Sequence, residues 1–145
     1  MRYLLLLTSI VLFAFGCKKD TTNIAYNGIP NVPVNATLYL NNPSYNILNV
    51  VGGSLYLQGG SRGIIIYRAS TEYFTALERH CTYQSSDACA KVNIDSTTFI
   101  NAVCTCCHSK YILTSGAVTE APATVGLKNY ICDFDAANNI LTIRN

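Results

Sequence analysis

The chain has 145 residues and a formal net charge of +2, and only 12% of its residues are charged. This length provides one domain once an N-terminal signal is removed. The low charge and the absence of a basic cluster argue against nucleic-acid binding, and the scattered Asp and Glu form no recognisable acid/base pair for catalysis. Ten Tyr and no Trp are present, and the enrichment in Tyr favours β-strands.

The N-terminus has the layout of a secretory signal. Arg2 supplies a positive start, residues 4–15 form an apolar run, and Gly16 is a small residue at its end. The run is shorter than the roughly 20 apolar residues of a membrane-spanning helix. The motif Ala14-Phe15-Gly16-Cys17 resembles the lipobox of bacterial lipoproteins, in which the cysteine is acylated and becomes the new N-terminus. Residues 1–16 are therefore predicted to be a signal peptide, and Cys17 the lipid-bearing residue.

The residues that follow predict a tether and a compartment. Two acyl chains on Cys17 would anchor the protein stably to a membrane. Residues 17–31 are mostly polar and are predicted to form the lipidated N-terminus and a flexible stalk, ahead of a domain over residues 32–145. The predicted location is the bacterial cell envelope, on the periplasmic or outer-membrane side, where disulfides can form.

The domain has the pattern of an all-β fold, with short apolar runs bounded by Gly, Asn and Pro. Strands are predicted over residues 34–40, 54–57, 63–68, 73–78, 91–95, 98–103, 111–113, 128–134 and 140–144. A Gly-rich segment between the second and third strands suits a hairpin loop, and Asp and Asn between the last two suit a turn. Period-two alternation places Cys132 on one face with Tyr130 and Phe134, so Cys132 is predicted to be a buried apolar residue and not a ligand.

Two cysteine-rich loops are the most informative feature of the domain. They are residues 80–89 (HCTYQSSDAC) and residues 104–111 (CTCCHSKY), and each is preceded by a predicted strand. Cys104 and Cys107 have the spacing at which two thiolates share a metal ion. The two loops are predicted to lie side by side at one end of the β-fold.

These loops resemble those of the Rieske-type ferredoxin family, whose members carry Cys-x-His in a first loop and Cys-x-x-His in a second. Cys81 and Cys104 match the two cysteine ligands. The segments GGSRGIIIYR, SGAVTEAPATVGLKNY and NILTIRN also resemble family segments, so the similarity covers about residues 33–145. The resemblance implies an antiparallel β-sandwich with both loops at one end, a 2Fe-2S cluster, and a non-catalytic role in electron transfer with a redox partner that the sequence does not identify.

The chain departs from the family at both histidine ligands. Tyr83 stands at the first position and Cys107 at the second, while His108 is displaced by one residue into a position that is usually Gly. His80 matches no ligand position, and both histidines are predicted to lie on the surface. Since a Rieske centre holds one iron through two imidazoles, an ordinary Rieske cluster is not expected.

Two metal-bound states of the site are open. One is an atypical 2Fe-2S cluster held by Cys81, Cys104 and Cys107, with Tyr83 or Cys89 as a fourth ligand. The other is a zinc ion held by Cys81, Cys89, Cys104 and Cys107.

A metal-free state is the third alternative. Family members that carry a disulfide join one extra cysteine from each loop, and the resemblance implies Cys89 and Cys106 for this pair. Cys81 and Cys104 would then face one another closely enough to form a second pair. The predicted function is accordingly a membrane-tethered electron carrier, or else a cofactor-free or zinc-stabilised lipoprotein with a binding or structural role.

Overall fold

The computed structural model describes residues 26–145, which form ten strands and one 3-10 helix. The strands are β1 (Asn35–Tyr39), β2 (Ser54–Leu57), β3 (Ile64–Arg68), β4 (Phe74–Glu78), β5 (Val92–Ile94), β6 (Asn101–Cys104), β7 (Lys110–Ile112), β8 (Val118–Glu120), β9 (Asn129–Asp135) and β10 (Ile140–Arg144). The helix, Pro43–Asn49, lies between β1 and β2. All nine predicted strands are found, whereas β8 and the 3-10 helix were not predicted.

The strands form two antiparallel sheets. The larger has six strands in the order β1-β10-β9-β4-β3-β2, and the smaller has four in the order β5-β6-β7-β8. Strand β9 joins the two halves of the large sheet, because Tyr130 pairs with Ala76 of β4 and Cys132 pairs with Ile143 of β10. The predicted all-β antiparallel sandwich is confirmed.

Strands β3 and β4 are covered on both faces by two hydrophobic cores. Ile65 and Leu77 face a core shared with the small sheet and the cysteine loops. Ile66 and Ala76 face a second core, formed with β1, β10 and the 3-10 helix. A strand buried on both faces needs a continuous apolar run instead of alternation, which accounts for the sequence Ile64–Ile66.

A buried carboxylate secures the point where the first cysteine loop leaves the large sheet. Glu78 is fully buried, and its oxygens accept hydrogen bonds from the backbone N–H groups of Ser61, Arg62 and His80 and from the Tyr130 hydroxyl. These donors compensate for the loss of water around the charge. Gly60, at a φ of +61°, lies so close to Glu78 and Tyr130 that a Cβ at this position would overlap with them.

Residues 26–31, predicted as the end of the stalk, pack against the domain. Ile29 is fully buried, and the Asn27 side-chain amide donates a hydrogen bond of 2.7 Å to the carbonyl oxygen of Thr82 in the first cysteine loop. These residues therefore contact the domain that the sequence predicts from residue 32. The predicted signal peptide and Cys17 lie outside the described residues. Over residues 26–145, no helix is both long enough and apolar enough to cross a membrane.

Candidate metal centre

The two cysteine loops meet because of the way in which β5 and β6 pair. The first loop runs from the end of β4 to β5, and the second connects β6 to β7. Val92 of β5 pairs with Cys104 at the end of β6, and the Cys81 N–H donates to the carbonyl oxygen of Ala90 at 3.0 Å. Cys81 is thereby held beside the strand that ends at Cys104.

Three thiols meet at this junction. The Sγ atoms of Cys81, Cys104 and Cys107 all lie within 4.8 Å of one another, and those of Cys81 and Cys107 are 3.7 Å apart. Cys81 and Cys104 are fully buried, whereas Cys107 is partly exposed. The structure thus brings together three of the predicted ligands and leaves one of them open towards solvent.

Hydroxyl groups surround these sulfurs. The Tyr111 hydroxyl lies 3.2 Å from the Cys81 Sγ and 3.1 Å from the Thr82 Oγ1. The Ser109 Oγ lies 3.1 Å from the Cys107 Sγ, and it accepts a hydrogen bond of 2.8 Å from the Ala123 N–H. The Ser109 hydroxyl proton is therefore available to donate to the Cys107 sulfur.

The surroundings act differently on two of the thiols. Burial raises the pKa of Cys81 to about 12, although the hydrogen bond from Tyr111 opposes this effect. Burial also disfavours the Cys107 thiolate, but hydrogen bonds from the Ser109 side chain and backbone, with further ones from Cys104 and Cys81, bring the Cys107 pKa below its usual value. Without a metal, Cys107 therefore ionises more readily than Cys81.

A disulfide joins the two loops beside the three thiols. Cys89 and Cys106 are bonded, with their Cα atoms 5.5 Å apart, which is the pairing that the family resemblance implies. The Cys89 sulfur is therefore not available as the fourth ligand proposed for zinc or for a cluster. Cys81 and Cys104 carry free thiols, so the second predicted disulfide is not formed in the structure.

Tyr83 and Cys132 pack against different cores of the domain. Tyr83 is partly buried and packs against the core that contains Cys81 and Cys104. Cys132 is partly buried on the same face of β9 as Tyr130 and Phe134, as predicted, and packs against the other core.

The prediction of a surface position was wrong for His80. His80 is only 5% exposed, because its ring has partners on both sides: Nδ1 is 2.8 Å from the Ser61 Oγ, and Nε2 is 2.7 Å from the carbonyl oxygen of Ser85. His108 is exposed, as predicted. Its φ of 61° lies in the left-handed region that favours Gly.

An ordinary Rieske cluster does not fit this set of donors. Such a cluster needs two imidazole ligands, but neither histidine joins the group of three thiols. Both ring nitrogens of His80 are already hydrogen-bonded. Thiolates are instead the ligands that select zinc and iron.

The roles of Tyr111, Ser109 and Thr82 were not predicted. A signal for Tyr111 exists, because it is the inward-facing residue of the short strand β7 and a buried tyrosine hydroxyl needs a hydrogen-bonding partner. The identity of that partner depends on the first loop, 30 residues away in sequence. It could not be read from the local pattern.

Comparison with known proteins identifies the fold. No protein-family model and no curated protein sequence matches the chain. The plasma-membrane Rieske protein PetC3 from the cyanobacterium Synechocystis PCC 6803 is similar in structure, with a TM-score of 0.51, 20% identity, and coverage of 64% of this chain and 87% of that one. The ferredoxin of carbazole 1,9a-dioxygenase from Nocardioides aromaticivorans IC177 has a TM-score of 0.50, 13% identity, and coverage of 78% and 97%, respectively. The chain therefore has a Rieske-like fold.

Proposed function

We propose that this protein is a lipid-tethered electron carrier of the bacterial cell envelope, whose Rieske-like domain holds an iron centre through Cys81, Cys104 and Cys107. The observation that carries the proposal is the meeting of these three Sγ atoms within 4.8 Å. They meet where two loops from different parts of the chain come together. The Rieske-like fold supports electron transfer as the use of the centre.

The surroundings of the thiols suit such a centre. Bound iron would supply one-electron chemistry, and its potential would depend on hydrogen bonds to the sulfurs and on solvent exposure. Tyr111 and Ser109 place hydroxyls 3.2 Å and 3.1 Å from two of the sulfurs. Cys107 is the partly exposed member, so it marks the side on which a redox partner would approach. With no histidine in the group, we expect a potential that does not follow the titration of an imidazole.

The predicted tether would keep this centre close to the membrane. Eight residues lie between Cys17 and Tyr26, so the distance between these two residues is at most roughly 30 Å when the segment is fully extended. Just beyond Tyr26, the Asn27 side chain contacts the first cysteine loop through its hydrogen bond to Thr82. A redox partner in or near the membrane surface is therefore favoured.

Iron analysis of the full-length protein tests the electron-carrier proposal. Protein purified without oxygen should contain stoichiometric iron and show visible absorption and an EPR signal that change reversibly with oxidation state. Cys104→Ser should lose the iron, whereas Cys132→Ser should keep it, because Cys132 packs in the other core. Full-length protein that contains no iron, or holds zinc instead, would contradict the proposal.

The tether has a separate test. Cys17→Ser should move the protein from the membrane fraction to the soluble fraction and prevent incorporation of a labelled fatty acid. Continued acylation of the variant would contradict Cys17 as the lipid-bearing residue.

A cofactor-free or zinc-stabilised lipoprotein with a binding or structural role is the second candidate. It is favoured by the Cys89–Cys106 disulfide, which already joins the two loops without a metal. Mass spectrometry of the unreduced protein distinguishes the candidates. A second mapped disulfide between Cys81 and Cys104 would support the metal-free form, and stoichiometric zinc would support the zinc-stabilised form.

A further inference from the structure

We infer that Cys81, Cys104 and Cys107 bind a single four-coordinate metal ion, whose fourth position is open to an exogenous ligand. This inference rests on the proposed function in one respect, since it takes the three thiols to be a metal site. It replaces the two-iron cluster suggested by the ancestry of the fold with a mononuclear centre.

The spacing of the sulfurs matches one coordination sphere. Thiolate sulfurs bind zinc at about 2.3 Å, so two of them on one tetrahedral ion lie about 3.8 Å apart. The Sγ atoms of Cys81 and Cys107 are 3.7 Å apart, and Cys104 completes the group within 4.8 Å. A small inward adjustment of Cys104 would place all three sulfurs on the same ion.

The same spacing is unsuitable for two irons. On a two-iron cluster, two of the three thiolates would bind one iron and the third would bind the other. Sulfurs on opposite irons are separated by the breadth of the cluster. Cys81 matches a ligand of the first iron and Cys107 stands at the position of a ligand of the second. Their separation of 3.7 Å is that of neighbours on one ion.

The described residues supply three of the four ligands that a tetrahedral ion needs. No fourth Cys, His, Asp or Glu of residues 26–145 joins the group. Cys89 and Cys106 are bonded to each other, and the Tyr111 hydroxyl is shared between the Cys81 sulfur and Thr82. Three protein ligands with an open fourth position are typical of metal sites that accept water or a small ligand.

Exposure indicates where that position lies. Cys81 and Cys104 are fully buried, while Cys107 is partly exposed. An ion held by the three sulfurs would therefore be reached by solvent from the Cys107 side. We expect a divalent ion of the Fe²⁺, Co²⁺ or Zn²⁺ class, which thiolates bind well, to occupy the site, with water or an added anion as the fourth ligand.

Cobalt is the probe for the coordination sphere. Full-length protein with its disulfide intact is stripped with a chelator and titrated with Co²⁺ without oxygen. The expected result is saturation at one Co²⁺ per chain, with intense visible bands typical of tetrahedral cobalt and a sulfur-to-cobalt charge-transfer band in the near ultraviolet. Azide should change the visible bands. A spectrum that azide leaves unchanged would overturn the open fourth position.

A variant of one proposed ligand and a matched control test whether the Co²⁺ binds at the three thiols. Cys107→Ser should weaken Co²⁺ binding by more than about 100-fold, because the loss of outer-shell partners alone costs 10–100-fold in metal affinity. Cys132→Ser also removes one thiol but lies in the other core, so its titration should match that of the unaltered protein. Equal Co²⁺ affinity of Cys107→Ser and the unaltered protein would overturn the three-thiolate site.

Measuring the iron, zinc and acid-labile sulfide content of the protein as isolated distinguishes this inference from the proposed function. One iron per chain without sulfide supports both. Two irons with two sulfides overturn the mononuclear site but leave the electron carrier intact. One zinc per chain supports the mononuclear site and contradicts electron transfer. Protein isolated without metal, together with Co²⁺ that fails to bind, overturns both.

Discussion

The six-stranded sheet and the cysteine end of the four-stranded sheet are stabilised in different ways. In the large sheet, β1 and β10 pair over five residues and the neighbouring strands enclose an apolar core that includes Ile66 and Leu141. In the small sheet, β5, β7 and β8 have only three residues each. Their connecting loops are fixed by a disulfide and by hydroxyl groups around the thiols.

This contrast suggests a division of roles. Apolar burial in the large sheet supplies a stable platform, and Glu78 fixes the start of the first cysteine loop on it. The cysteine end instead determines the positions of three sulfurs. Damage to either region should therefore lower the stability of the domain, but only damage to the cysteine end should also change the site.

The largest expected effect is the loss of a side chain from the large-sheet core. Ile66→Ala should lower the free energy of unfolding by about 3 kcal/mol, within the 2–5 kcal/mol found for such truncations, because Ile66 is fully buried and would leave a cavity. Chemical denaturation measures the change. Ile131→Ala is the control on the same sheet, since Ile131 is 47% exposed and should change the stability by less than about 0.5 kcal/mol. Equal effects of the two substitutions would refute the platform role.

Removing the disulfide should have a comparable or slightly smaller effect. The two cysteines are 17 residues apart, and a loop of this length predicts a loss of about 3 kcal/mol in the chain-entropy treatment. The double substitution Cys89→Ala with Cys106→Ala should unfold at lower denaturant concentration, and dithiothreitol should no longer affect it. The unaltered protein should be destabilised by dithiothreitol. An unaltered protein indifferent to reduction would show that the loops do not depend on this bond.

The strands were predictable because their signal is local. Apolar and polar residues alternate over residues 34–40, which indicates a strand. The Gly-rich segment before Ile64 indicates a hairpin loop between two strands. The 3-10 helix Pro43–Asn49 has no such period. Strand β8 forms because it pairs with Lys110 and Tyr111 of β7, so its own sequence gives little indication of a strand.

The grouping of the three thiols was predictable from the sequence, but their surroundings were not. Cys81, Cys104 and Cys107 followed from cysteine spacing and family resemblance. The burial of His80 depends on Ser61, which lies on a hairpin 19 residues earlier. The contact between Tyr111 and Cys81 likewise depends on how the two loops meet, and such contacts between distant segments leave no pattern in either segment.

A smaller effect is expected from the hydroxyl beside Cys81. Tyr111→Phe should lower the free energy of unfolding of the metal-free protein by about 1 kcal/mol, the usual worth of a buried hydrogen bond. The cost stays low because Thr82 keeps its hydrogen bond of 2.5 Å to the carbonyl oxygen of Val125. Tyr73→Phe, at a side chain that is 60% exposed, is the control. In the cobalt-loaded protein, Tyr111→Phe should also shift the charge-transfer band, and an unmoved band would show that the hydroxyl does not act on the sulfur.

The smallest perturbation leaves the sequence unchanged and probes the free thiols of the metal-free protein by alkylation. The pKa of Cys107 is below its usual value, whereas burial raises the pKa of Cys132 to about 11 and that of Cys81 to about 12. Since the thiolate is the nucleophile, Cys107 should react with iodoacetamide at a lower pH than the other two. Peptide mass spectrometry after brief labelling, from about pH 6 to about pH 10, spans the usual cysteine pKa of about 8.5.

Cys132 serves as the internal control on the large sheet, because it is also partly buried but lacks the hydroxyl donor that Ser109 gives Cys107. If Cys132 were labelled as readily as Cys107 near neutral pH, the hydroxyl and thiol contacts at the cysteine end would not be stabilising the thiolate, and the chemical contrast between the two regions would fail.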